Sequence, residues 1–313
     1  MRLFRHYTEL PDDARGAVAA IGNFDGVHRG HRAVIGEAAR LARAAGAPLA
    51  AITFEPHPRS VFRPDDPPFR LTPLRIKARH MEELGVDLLF VIHFDSTFRH
   101  KSAADFVREV IVEGLGLRHV VVGYDFLFGH RRQGDAPFLE AQGRALGFRV
   151  TAVGPVMDPQ DGVFSSTRVR NALLAGRSGE AARLLGHWWE VEGRVEHGDA
   201  RGRTIGYPTA NLELGEYLRP AYGVYAVRAG IDTGSATVWH DGVANFGRRP
   251  TVDGIAERFE VHLFDFQGDL YGKHLRVKLI DYIRPEKKFA SLGELKAQII
   301  QDAGAARAAL AAR

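Results

Sequence analysis

Gly22-Asn23-Phe24-Asp25-Gly26-Val27-His28-Arg29-Gly30-His31 carries the densest chemistry in this chain. A short apolar run, Val18-Ala19-Ala20-Ile21, precedes it and reads as a strand. Behind it, apolar residues recur at Val34, Ile35, Ala38, Leu41 and Ala42, the spacing of one helix face. The ten residues therefore form a strand-to-helix turn. Glycines let such a turn bend tightly and approach a ligand closely. The following helix offers unsatisfied N–H groups and its positive dipole end, which together favour an anion. His28 and His31, split by Gly30, add donors that stabilise charge developing on a phosphate. The pattern predicts a nucleotide-phosphate site made by Gly22, Asn23, Phe24, Asp25 and Gly26 with the two histidines.

Working outward, strand and helix patterns alternate up to about Leu185. Leu49–Phe54, Asp87–His93, His119–Gly123 and Arg149–Val153 read as strands, and Leu74–Leu84, Ala103–Leu115 and Pro137–Leu146 as helices. This alternation predicts a parallel, doubly wound α/β sheet. Ligands of such sheets bind outside the carboxyl ends of the strands, where the turns after Ile21, Phe54 and Gly123 lie. From Trp188 the texture changes. Trp189–Val195, Gly223–Ala229, Ser235–Val243 and Glu257–Leu263 are strand candidates separated by glycine, proline and Asp-Gly turns, the signature of an antiparallel β-barrel. A helix over Ser291–Ala309 closes the chain, capped by Ser291 with Glu294 three residues on. Its end, AARAALAAR, has the composition of a fraying terminus. The expected division is 1–185 and 186–313.

The whole chain sets wider limits. Its 313 residues suit two domains with ample core. The absence of cysteine excludes disulfides, thiolate metal sites and cysteine nucleophiles, and fits a reducing, cytoplasmic setting. No apolar run reaches membrane-spanning length and the first residues hold no signal-peptide core, so no membrane partner is expected. The net charge of +4 belongs wholly to the part ending at Gly186, with 25 Lys+Arg against 21 Asp+Glu there and 17 against 17 after it. A polynucleotide-binding role is the alternative this basic excess raises. With no block of five like charges, no nucleic-acid partner is expected.

Three further segments of the first part carry chemistry. In Thr53-Phe54-Glu55-Pro56-His57-Pro58 the prolines stiffen a loop and set His57 on a rigid support; the alternative is a structural turn with an exposed imidazole. In Gly123-Tyr124-Asp125-Phe126-Leu127-Phe128-Gly129-His130-Arg131-Arg132, Phe126 and Phe128 offer an apolar wall for a planar ring and Arg132 a phosphate contact. The alternative is that the phenylalanines are core and the arginines solvated. Ser165-Ser166-Thr167-Arg168 opens a helix with hydroxyls, N–H groups and a guanidinium, a cradle for pyrophosphate or a plain N-cap.

In the second part, Gly202-Arg203-Thr204-Ile205-Gly206-Tyr207-Pro208-Thr209-Ala210-Asn211 is the strongest signal. Its glycines suit a flap closing over phosphates, and Pro208 stiffens the approach to Thr209 and Asn211. Those two oxygen ligands, spaced i and i+2, point the same way on an extended segment and suit Mg²⁺. Asn245 opens Asn245-Phe246-Gly247-Arg248-Arg249-Pro250-Thr251. In Glu260-Val261-His262-Leu263-Phe264, alternation puts Glu260, His262 and Phe264 on one face. Glu260 is a proton acceptor if that face lines the barrel mouth, and a surface carboxylate if it meets solvent.

In order, GNFDGVHRGH, TFEPHP, VGYDFLFGHRRQGD and SSTRVR resemble the adenylyltransferase module of prokaryotic bifunctional riboflavin kinase/FMN adenylyltransferases (FAD synthetases). GRTIGYPTAN, AYGVYAV, GVANFGRRPT, EVHLFDF and DLYGKHLRV are similar to their riboflavin kinase module. The likeness spans roughly residues 15–303. It implies a Rossmann-like nucleotidyltransferase domain followed by a Greek-key barrel. It implies phosphorylation of riboflavin to FMN, then adenylylation of FMN to FAD, with ATP as co-substrate, Mg²⁺ as cofactor, and a monomer or weak homo-oligomer. By the likeness, His28 and His31 stabilise the α-phosphate of ATP, Asn23 positions phosphates, and Ser165, Ser166, Thr167 and Arg168 hold the leaving pyrophosphate. Thr209 and Asn211 bind Mg–ATP, and Glu260 activates the riboflavin 5′-hydroxyl. Asp125 lies in a family binding motif.

Overall fold

A computed structural model describes every residue except 161, 197–206, 234–236 and 252–253, and every side chain except those and 249–251 and 254–256. The chain packs as two compact units, Met1–Pro67 with Pro73–Ser165, and Pro68–Thr72 with Ser166–Arg313.

The first unit is built on a six-stranded sheet: β1 (Arg2–Phe4), β2 (Val18–Ile21), β3 (Leu49–Glu55), β4 (Leu88–His93), β5 (His119–Gly123) and β6 (Arg149–Val153). Their order is β1-β4-β3-β2-β5-β6, and every pairing is parallel. Burial on both faces explains the unbroken apolar runs. In β2, Ala19 and Ile21 enter one core while Val18 and Ala20 enter the other. Helix α1 (Arg29–Ala45) covers the second of these with Val34, Ile35, Ala38 and Ala42. Helices α2 (Pro58–Phe62) and α3 (Leu74–Glu83) follow β3. Next, α4 runs from Ala103–Asp105 into a π-helical stretch, Phe106–Gly114, and covers the first core together with α5 (Ala136–Leu146). The pattern over Ala103–Leu115 predicts an ordinary helix; the π geometry is a difference the periodicity does not carry. Strand order reverses at β2, with β3 on one side and β5 on the other. The turns after β2 and β5 therefore flank the switch point where open α/β sheets bind ligands.

Helices α6 (Ser166–Leu174) and α7 (Ser178–Leu185) belong to the second unit, α7 packing on its last strand. The packing boundary thus falls at Ser165, ahead of the expected 185/186 division. The strands of this unit are β7 (Glu190–Arg194), β8 (Ala210–Leu212), β9 (Gly223–Asp232), β10 (Thr237–Thr251), β11 (Gly254–Leu263) and β12 (His274–Pro285). They pair antiparallel in the order β7-β12-β9-β10-β11-β8. Glu196, just past β7, bridges to Asn211 of β8, its N–H donating to the Asn211 carbonyl at 3.0 Å, which brings the two edges of the sheet together. Helix α8 (Leu292–Ala311) starts at the expected Ser291 cap. Its alanine-rich end stays helical because Ala303, Ala306 and Leu310 are buried against Ala226, Phe264 and Ile280 of the barrel.

Candidate functional site

The turn after β2 is conformationally demanding. Phe24, Gly26 and Val27 have φ of 48°, 93° and 42°. Left-handed backbone is unfavourable for a β-branched residue and persists where packing over-determines it. Burial of Phe24 and Val27 in the α1-side core supplies that packing. His28 is then the N-cap of α1, its Nδ1 accepting the His31 N–H at 3.3 Å. A ring nitrogen that accepts carries no proton, so the neutral imidazole holds its proton on Nε2. The two rings stack at 3.6 Å and 22°, and the Phe24 ring meets His31 edge-on at 5.4 Å. Gly30 keeps this turn tight. A Cβ there would lie 3.1 Å from the His28 ring and 3.3 Å from the Phe164 carbonyl. No acidic side chain occupies the first turn of α1, so its dipole is left to attract an anion.

The neighbouring loops add to this edge. Thr53 Oγ1 donates to the Asn23 carbonyl at 3.2 Å, tying β3 to the turn. His57 is buried and caps α2, with Nδ1 accepting the Arg59 N–H at 3.1 Å. That settles against an exposed imidazole. After β5, Asp125 and Arg132 are exposed. Phe128 is a core residue, with the half-buried Phe126 stacked on it at 5.3 Å and 19°. Asp25 is buried. Ser165 ends the first unit, while Ser166, Thr167 and Arg168 open α6 in the second.

The barrel site is set by register. Asn211 of β8 is opposite Glu260 of β11, Glu260 is opposite Asn245 of β10, and Asn245 is opposite Val224 of β9. Directly opposed residues of antiparallel strands project from the same face. All four line a cavity of about 600 Å³, together with Pro208 and Thr209. Glu260 therefore faces the cavity. The Asn211 Oδ1 is buried and has no hydrogen-bond partner among the described residues, a costly state that a ligand relieves. His262 Nδ1 donates to the Pro208 carbonyl at 2.8 Å and holds the approach to Thr209 against β11. Gly202, Arg203 and Gly206, expected to form the flap, lie outside the described residues.

One wall is apolar, from Phe289 and the α8 residues Leu292, Leu295 and Ile299. Also lining the cavity, Arg284 holds Asp302 in a two-pronged ion pair, at 2.8 and 2.6 Å, joining β12 to α8. Sequence reasoning missed this pair. Its one signal was an acid four residues after Gln298 in an alanine-rich helix, and Gln298 does donate to Asp302 at 2.9 Å. On β11, burial works to raise the Glu257 carboxyl, but hydrogen bonds from Tyr222 and Arg219 outweigh it and hold it below its ordinary value. Beneath the site, a Cβ on Gly242 would come within 2.4 Å of the His262 carbonyl. Gly242→Ala is expected to wedge β10 from β11 and cost about 1–3 kcal/mol, read as a lower urea midpoint.

A parallel sheet with a histidine-capped turn at its ligand edge, followed by a barrel with a carboxylate in register between two asparagines, is the arrangement of a two-module nucleotide-dependent transferase. A family profile described as FAD synthetase matches residues 10–168, and one described as riboflavin kinase matches residues 185–310. Among relatives, a bifunctional riboflavin kinase/FMN adenylyltransferase of Escherichia coli (strain K12) is 45% identical, covering 98% of this chain and 97% of its own. One of Pseudomonas fluorescens is 46% identical with the same coverage, 98% and 97%. A solved structure from Streptococcus pneumoniae, described as a macrolide-efflux protein, is 34% identical with a TM-score of 0.84, covering 96% of each chain. Among the described residues of this chain, no helix is long and apolar enough to cross a membrane. The chain belongs to the family of bifunctional riboflavin kinase/FMN adenylyltransferases.

Proposed function

We propose that this chain makes FAD from riboflavin in two ATP-dependent steps, with residues 186–313 performing the first and 1–185 the second. The in-register row Asn211–Glu260–Asn245 over the cavity carries the reading of the first step. Glu260 accepts the proton of the riboflavin 5′-hydroxyl, whose oxygen attacks the γ-phosphorus of ATP; FMN forms and ADP leaves. The apolar wall of Phe289 and α8 suits the flavin ring. Thr209 and Asn211 would hold Mg²⁺: the donor set is hard and neutral, both residues line the cavity, and the buried Asn211 Oδ1 lacks a hydrogen-bond partner among the described residues. When bound, the ion would neutralise phosphate charge. Gly202, Arg203, Gly206 and Pro208 belong to the segment assigned to ATP, and Asn245 to the substrate row.

In the second step a phosphate oxygen of FMN attacks the α-phosphorus of a second ATP, and pyrophosphate leaves. His28 and His31 stabilise the charge that builds on the α-phosphate, His28 through its Nε2–H. Gly22 to Gly26 cradle the nucleotide, with Asn23 toward the phosphates. Ser165, Ser166, Thr167 and Arg168 receive pyrophosphate. His57, Asp125, Phe128 and Arg132 complete the binding set, Phe128 as support for the loop that carries the others. A cytoplasmic enzyme that acts as a monomer or weak homo-oligomer, without nucleic acid, is the setting we assign; the lack of cysteine supports a reducing compartment.

Chromatography of flavins after incubation with riboflavin, ATP and Mg²⁺ tests the reading. FAD is expected through an FMN intermediate, and chelation by EDTA is expected to stop FMN formation until Mg²⁺ is restored. A folded protein that makes neither flavin would overturn it.

A further inference from the structure

Lys77 lies on the buried side of α3 with Ile76, His80 and Met81. Its ammonium is enclosed, and Nζ donates to Thr53 Oγ1 at 3.0 Å and Glu55 Oε1 at 3.2 Å. Thr53 Oγ1 donates in turn to the Asn23 carbonyl at 3.2 Å. A hydroxyl has one proton, so accepting from the ammonium directs that proton to Asn23. The direction of the chain is fixed.

Taking an ammonium and its carboxylate partner out of water is costly, and well-packed apolar residues in place of such a buried pair are often as stable or more so. Stability alone is therefore a poor reason for a lysine here. Its contacts give a better one. Asn23 adjoins Phe24, whose left-handed backbone sets the ring against His31. Glu55 adjoins Pro56 and His57. One cation thus fastens the turn after β2 and the loop after β3, both at the ligand edge of the sheet.

We infer that Lys77 is a positioning residue for adenylyl transfer, acting through Thr53 to hold the Asn23 turn and so the place of His31. The inference rests on the reading of His28 and His31 as the phosphate site. Misplacing a reacting geometry by about 1 Å costs up to about 100-fold in rate.

Full-length Thr53→Val keeps the side chain's shape and removes the hydroxyl. With FMN and ATP, its kcat for FAD formation is expected to fall about 10- to 100-fold while KM for ATP stays within about twofold. Thr53→Ser, which returns the hydroxyl, should recover most of the loss. Lys77→Met should fall similarly, and the double variant no further, because both cut one chain. FMN formation from riboflavin is the internal control and should not move. Wild-type kcat in Thr53→Val, or additive losses in the double variant, would overturn the inference. If Lys77→Met fails to fold, the Thr53→Val and Thr53→Ser pair decides alone. His31→Ala separates the two readings. If it leaves FAD formation intact, the phosphate-site reading fails; if it stops FAD formation while Thr53→Val behaves as wild type, only the Lys77 inference fails.

Discussion

Glu260→Ala abolishes FMN formation, with an expected loss of about 10²–10⁴-fold in kcat, the range for removing a positioned general base. The conversion of added FMN to FAD is expected to continue. The carboxylate sits between Asn211 and Asn245 in one row of the barrel and faces the cavity. Its loss would leave the 5′-hydroxyl without a proton acceptor, while Asn211 and Asn245 keep their places in the row. Glu260→Gln keeps the shape and removes the basicity, so it should match the alanine variant in kcat with less change in KM. Product analysis with riboflavin and, separately, with FMN checks both halves. Substantial FMN formation by Glu260→Gln would remove Glu260 from the base role.

His31→Ala gives the opposite pattern. FAD formation is expected to fall about 10²–10³-fold, the cost of losing one preorganised donor at developing charge, and riboflavin should still become FMN. The effect should exceed simple loss of a side chain, because His31 stacks on His28 and receives the edge contact of Phe24. Circular dichroism and an unfolding curve establish that the variant is folded. If either substitution stops both reactions in a folded protein, the two sites are not independent.

The alternation of strand and helix and the strand–turn–helix at residues 18–45 were legible because periodicity reports them directly. Other features were not. Alternation puts Glu260, His262 and Phe264 on one face without saying where that face looks; the cavity lined by Glu260, His262 and the opposing Asn211 decides it. The Asn245–Thr251 stretch holds glycine and proline, yet lies within β10 and pairs residue by residue with β11. Strand β12 was missed entirely, since its Leu, Val and Ile are interrupted by charged residues that the barrel exterior and ion pairs accommodate. Lys77 is invisible to patterning, because lysine is read as solvated. Its partners, Thr53 and Glu55, come from β3.

Asn211 has two duties. Its main-chain oxygen fastens the Glu196 amide at the barrel seam, while the residue itself lines the cavity and its buried side-chain oxygen has no hydrogen-bond partner among the described residues. A clasp built this way makes occupancy and closure one event: whatever engages the side chain also discourages the seam from opening. By linkage, a ligand present at about 100 times its dissociation constant would deepen the folded well by about 2.7 kcal/mol. The kinase barrel would then be at its most loosely fastened between turnovers, when exchange of substrate for product requires it.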